Sequence, residues 1–81
     1  MFVRLWEWDV ARDAQGGSVG LSGSRHGAML ALSKALIQAG RPTRGRVMPV
    51  TLRRPAHEPA YYLRGVPERT AEYDGEVIRW A

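Results

Sequence analysis

No cysteine occurs among the 81 residues. Disulfides, thiolate metal ligands and a cysteine nucleophile are thereby excluded, and a secreted domain of this size would ordinarily carry disulfide staples. Long apolar runs are also missing. None approaches the roughly 20 residues that span a bilayer, and Arg4, Glu7 and Asp9 break the early apolar residues where a signal peptide would have none. By elimination the chain is expected in the cytoplasm. Lysine is almost missing, since eleven of the twelve basic residues are arginine.

The most informative absence is that of acid from the middle of the chain. Residues 1 to 13 carry a net charge of −1 and residues 58 to 81 a net of −2. Between them, residues 14 to 57 hold Arg25, Lys34, Arg41, Arg44, Arg46, Arg53 and Arg54 with no carboxylate, a net of +7. A segregated basic stretch can form a positive patch. The codon bias of a GC-rich genome also produces arginine, alanine and glycine in abundance, so the arginines carry less weight than their number suggests.

What is present describes one small domain spanning residues 1–81. The chain is 44% hydrophobic and 25% charged, ordinary for a globular protein. A chain this short buries only about 60–65% of the surface it exposes when unfolded, so each large apolar residue counts. Phe2 to Val10 alternates, with Phe2, Trp6, Trp8 and Val10 on one face and Val3, Leu5, Glu7 and Asp9 on the other. Period two with aromatics reads as a strand whose tryptophans, like Trp80, face the core. Asp13 to Gly17 supply a turn, and Val19 with Leu21 a return strand.

A helix is expected from about Arg25 to Ala39. Ser24 or Ser22 can cap it, and Gly40 followed by Pro42 can end it. Ala28, Leu32, Ala35, Leu36 and Ala39 share its inner face, with Met29 at the margin. Leu30 and Ile37 point outward near Ser33 and Lys34, to be covered by the C-terminal strands or by a partner. Arg41 to Gly45 reads as a basic loop and Arg46 to Arg54 as a strand, which Pro49, lacking an N–H, places at a sheet edge. Pro55 to Pro59 reads as a linker and Ala60 to Arg64 as a strand. Val66 to Arg69 reads as a turn. The last element is a hairpin with a type I′ turn at Asp74-Gly75 and arms over Thr70–Tyr73 and Glu76–Trp80. The expected fold is α+β: one mostly antiparallel sheet, built from a hairpin, a single helix packed on one face, then three to four strands.

No constellation for catalysis emerges, and no motif of a named family is present. His57-Glu58 resembles the opening of a zinc-protease helix, but Tyr61 stands where the second histidine belongs and Pro59 opposes a helix. His26 reads as an exposed residue of the first helical turn, with a phosphate contact as the alternative. The glycines at 16, 17, 20 and 23 lack the lysine and hydroxyl of a P-loop and the dinucleotide spacing, and read as turn and bulge residues. Glu68, Glu72, Asp74 and Glu76 read as a solvated acidic edge. No enzyme activity, metal or cofactor is expected.

Two functions remain. The first is a small nucleic-acid-binding or regulatory module, of the kind carried by bacterial mobile elements and phage. Arg25, Lys34, Arg41, Arg44, Arg46, Arg53 and Arg54 would meet phosphates without base specificity. The alternative is a protein-interaction module, homodimeric or with another partner, using Leu30, Ile37 and Tyr62, the edge strand at Pro49 and the acidic C-terminal hairpin; whichever of the adjacent Tyr61 and Tyr62 faces outward could instead stack on a base.

Overall fold

The structure, a computed structural model, describes residues 2–13, 16–53 and 61–81. Its elements are β1 (Phe2–Asp13), β2 (Gly16–Ser22), α1 (Arg25–Ala39), β3 (Thr43–Arg53), β4 (Tyr61–Arg64), β5 (Arg69–Tyr73) and β6 (Ile78–Trp80). All strand pairs are antiparallel in one sheet of order β2-β1-β3-β5-β6, with β4 sharing the β5 edge of β3. The one helix among the described residues packs on one face, so the chain adopts the expected α+β arrangement. Arg54 and the 55–59 linker lie outside the described residues.

Register fixes which side chains meet. Trp6, Trp8 and Val10 pair with Pro49, Val47 and Gly45, and Gly45 and Thr43 pair onward with Ala71 and Tyr73. Against this face the helix sets Ala28, Leu32 and Leu36, all fully buried. Trp6, Trp8, Met29, Ala35, Ile78 and Trp80 close the margins of the cluster, half-buried. Ser24 caps α1, its Oγ accepting the Gly27 N–H at 3.0 Å, while Ser22 Oγ accepts the Ser24 N–H at 3.4 Å. Gly40 ends the helix in the left-handed region, its N–H donating to the Ile37 carbonyl.

The close fit of helix to sheet depends on one residue without a side chain. A Cβ on Gly45 would lie 2.5 Å from Leu32 Cδ1 and 2.6 Å from the Asp9 carbonyl oxygen. The Leu32 methyl fills the space that a side chain on β3 would otherwise take. Gly20 plays a similar part on β2, where the indole of Trp8 lies over it.

Three expectations are corrected. First, β3 is not an edge strand. It pairs with β1 along Phe2↔Arg53 to Val10↔Gly45, and its other edge carries β5 and β4. Pro49 is tolerated because β5 ends at Val47 and β4 begins at Val50, leaving residues 65–68 beside it. Its carbonyl accepts the Gly65 N–H at 2.9 Å, and the Val47 carbonyl accepts that of Glu68 at 2.9 Å. N–H and C=O of one strand residue point the same way, so the missing donor falls where no ladder bond is due.

Second, Thr43 to Gly45 are strand rather than loop, because they pair with Tyr73, Glu72 and Ala71; cross-strand pairing overrides local loop character. Third, the last hairpin has no type I′ turn. That turn needs positive φ at both central residues, and only Gly75 has it. Residues 74–77 form a four-residue loop between Tyr73 and Ile78. The Asp74 carboxylate accepts the N–H groups of Glu76 and Val77, each at 2.8 Å.

Two tests follow from these contacts. Gly45→Ala should cost about 1–3 kcal/mol by overpacking, read as a lower urea midpoint, whereas Gly23→Ala, with open space around it, should stay within about 0.5 kcal/mol. Equal midpoints would refute the role given to Gly45. The N–H groups of Val77 and then Glu76, aided by Arg79, hold the Asp74 pKa below the ordinary carboxylate value. Its contribution is therefore present above the unfolded pKa and is lost as pH falls through the depressed folded one. An NMR titration of the Asp74 carboxyl carbon should give a midpoint below that of an unperturbed aspartate, with the Val77 and Glu76 amides moving together with it.

Candidate interaction surfaces

Among the described residues, the basic side chains of the middle segment do not gather on one surface. Arg25 and Lys34 belong to the helix and are exposed there. Arg44 and Arg46 alternate with Gly45 and Val47 on β3 and so stand on the sheet face away from the helix. Arg41 sits between α1 and β3. Arg53 pairs by register with Phe2 and Tyr61 at the far end of β3.

Carboxylates from the two ends of the chain meet several of them. Arg46 faces Asp9 directly across the β1–β3 ladder. Its Nη2 donates to Asp9 Oδ2 at 2.9 Å, and its Nε reaches both carboxylate oxygens at 3.3 Å. Hydrogen bonding and the charge of Asp9 raise the Arg46 pKa, with Glu7 contributing. Arg41 donates through Nε and Nη2 to the two oxygens of Asp13, each at 3.1 Å, and through Nη1 to the Ala39 carbonyl at 3.2 Å. This guanidinium ties the end of β1 to the last turn of the helix, where a cation suits the helix dipole. Arg44 pairs in register with Glu72, and Glu72 with Arg79.

An open trough of about 690 Å³ runs over the far face, where β1 and β3 pass between β2 and β5. Its charged lining is Glu7, Asp9 and Glu72 against Arg12, Arg44 and Arg46. Three carboxylates balance three guanidiniums, so the trough presents no net charge to a phosphate. Glu7 is only 7% exposed here and pairs in register with Met48. Met48 and Val50 are buried on this same face, so β3 is covered there at these two residues, while Arg44 and Arg46 stay exposed.

The apolar candidates fare differently. Leu30 and Ile37 are 54% and 58% exposed. The expected cover by the C-terminal strands is not formed, because β5 and β6 extend the sheet edgewise beyond β3 instead of folding over the outside of the helix. Lys34 lies between the two aliphatics on the helix surface, four residues after one and three before the other. Tyr62 pairs in register with Leu52; its side chain is outside the described residues.

The return strand expected at Val19 and Leu21 is β2, but the sequence did not mark it as an interaction surface. This strand, Gly-Gly-Ser-Val-Gly-Leu-Ser, ends the strand order. Among the described residues no strand pairs with its outer edge. It has no charged residue and no proline, the usual devices that keep an edge from pairing. Val19 and Leu21 pair with Asp9 and Glu7, so they stand on the far face, and they are 66% and 46% exposed. The alternation and the lack of charge were visible in the residues; the edge position was not. Comparison with protein-family models, curated proteins and solved structures gives no match.

Proposed function

We propose that this chain is a protein-interaction module that receives an extended segment as an added strand along the outer edge of β2. The observation that carries the reading is the contrast between the two ends of the sheet. β6 offers three residues, with Arg79 exposed among them, and β2 offers seven with no charge and two exposed aliphatics. Strand addition draws affinity from main-chain hydrogen bonds and specificity from alternate side chains. Val19 and Leu21 would meet apolar side chains of the added strand, and Ser18 and Gly20 would meet small ones.

Panning a phage-displayed library of random peptides of about twelve residues tests this, since an added strand is read at alternate positions. The expected result is enrichment of peptides with apolar residues at every second position. Val19→Lys should abolish their binding, measured by calorimetry, and Leu30→Lys should leave it unchanged. Peptides that bind equally well to Val19→Lys would refute the assignment to β2.

A second reading, nucleic-acid binding, keeps the support of the acid-free 14–57 segment and of Arg25 and Lys34, both exposed on the helix. It is the weaker one because Arg41 and Arg46 are engaged by Asp13 and Asp9. Fluorescence anisotropy against duplex DNA, single-stranded DNA and RNA at two salt concentrations tests it. If it holds, binding weakens steeply with salt, and Arg25→Ala with Lys34→Ala flattens the slope by about two. No binding at low salt would exclude it.

A further inference from the structure

We infer that the strand received by β2 is the β2 strand of a second copy of this chain, giving a two-fold dimer with one continuous sheet. The inference rests on the strand-addition reading and names its occupant. A two-fold axis normal to the sheet pairs β2 with itself antiparallel, and residues that face each other then share parity. Centred on Gly20, this register sets Gly20 opposite Gly20 of the second copy, Val19 opposite its Leu21, and Ser18 opposite its Ser22. The exposed aliphatics of both copies become one apolar row of four on the far face. On the helix side the facing residues are the small Ser18, Gly20 and Ser22.

Charge permits this pairing. β2 has no ionisable residue, so self-pairing sets no like charges opposite each other, which would be destabilising. The same lack leaves nothing on the strand to select a charged foreign segment. Length favours closure. A β2–β2 pairing engages five residues on each side in this register, whereas a head-to-tail pairing of β2 with β6 engages three. The two-fold arrangement therefore closes as a dimer and does not propagate as a fibre. An edge of seven residues is about 24 Å long, and with two aliphatics per copy it falls in the small, weak class of interfaces. The dimer should accordingly depend on concentration.

Analytical ultracentrifugation of the full chain from about 10 μM to about 1 mM reads this directly, because self-association follows mass action. The weight-average mass should rise from 9.0 kDa toward twice that value. Val19→Lys, with unchanged far-ultraviolet circular dichroism, should remain monomeric throughout, while Leu30→Lys should associate like the wild type. In the wild type, the amides of residues 18–22 should exchange with solvent more slowly at the high concentration than at the low one, a readout that needs no variant. A wild type that stays monomeric at every concentration overturns the inference, and so does a dimer that survives Val19→Lys. If panned peptides still bind at β2 in the first case, strand addition stands and the second copy is the wrong occupant. If no peptide binds there either, both readings fall.

Discussion

The β1–β3 ladder is the constraint on which the rest of the structure depends. Nine consecutive register pairs, from Phe2↔Arg53 to Val10↔Gly45, join segments roughly 35 to 50 residues apart in sequence. This pairing sets Trp6, Trp8 and Val10 beside Pro49, Val47 and Gly45, and so creates the floor on which α1 lies. Gly45 and Leu32 then fix how close the helix can come. Every other strand attaches to one side of this pair, β2 to β1 and the C-terminal strands to β3. Contacts so distant in sequence carry a loop-closure cost before they contribute, which tends to slow folding relative to helical domains of the same size.

The same ladder redistributes the charge. Along the chain the basic residues are concentrated in the middle and the acids at the ends. In space the basic strand lies between the two acidic segments, because β3 is central and β1 and β5 flank it. Asp9 meets Arg46, Asp13 meets Arg41, and Glu72 stands opposite Arg44. Partly exposed ion pairs of this kind contribute little to stability, on the order of 0–1 kcal/mol each. Their larger effect is on the electrostatic surface, since Arg44 and Arg46 of the basic run come to lie in a trough whose charges balance. The sheet edges are treated unequally as well. The C-terminal edge is short and carries charge, and the β2 edge is long and carries none, an asymmetry that directs association to one side of the molecule.

Local physical chemistry made much of this legible from the residues alone. The helix from Arg25 to Ala39, its Ser24 cap and its Gly40 end follow from capping and 3.6-residue spacing, which act within a few residues. The alternation from Phe2 to Val10 identified the tryptophan face for the same reason. Pro49 misled because a proline excludes a strand from a ladder only where its own N–H is due, and which edge that is depends on the partners. Thr43 to Gly45 misled because loop character is a weak preference that pairing with Tyr73, Glu72 and Ala71 of β5 outweighs. Asp74-Gly75 misled because the carboxylate of Asp74 gathers two backbone N–H groups and opens the turn to four residues.

The sequence by itself therefore determined the class of fold, the helix and its buried face, the hairpin that opens the chain and the imbalance of charge along it. Each of these depends on spacing or composition within one segment. Only the tertiary structure decided that β3 is central, that the described arginines divide between two faces and meet the acids of both termini, and that no strand among the described residues pairs with the outer edge of β2. Those properties depend on strand order, and strand order is set by the sum of many weak long-range pairings that no single segment encodes.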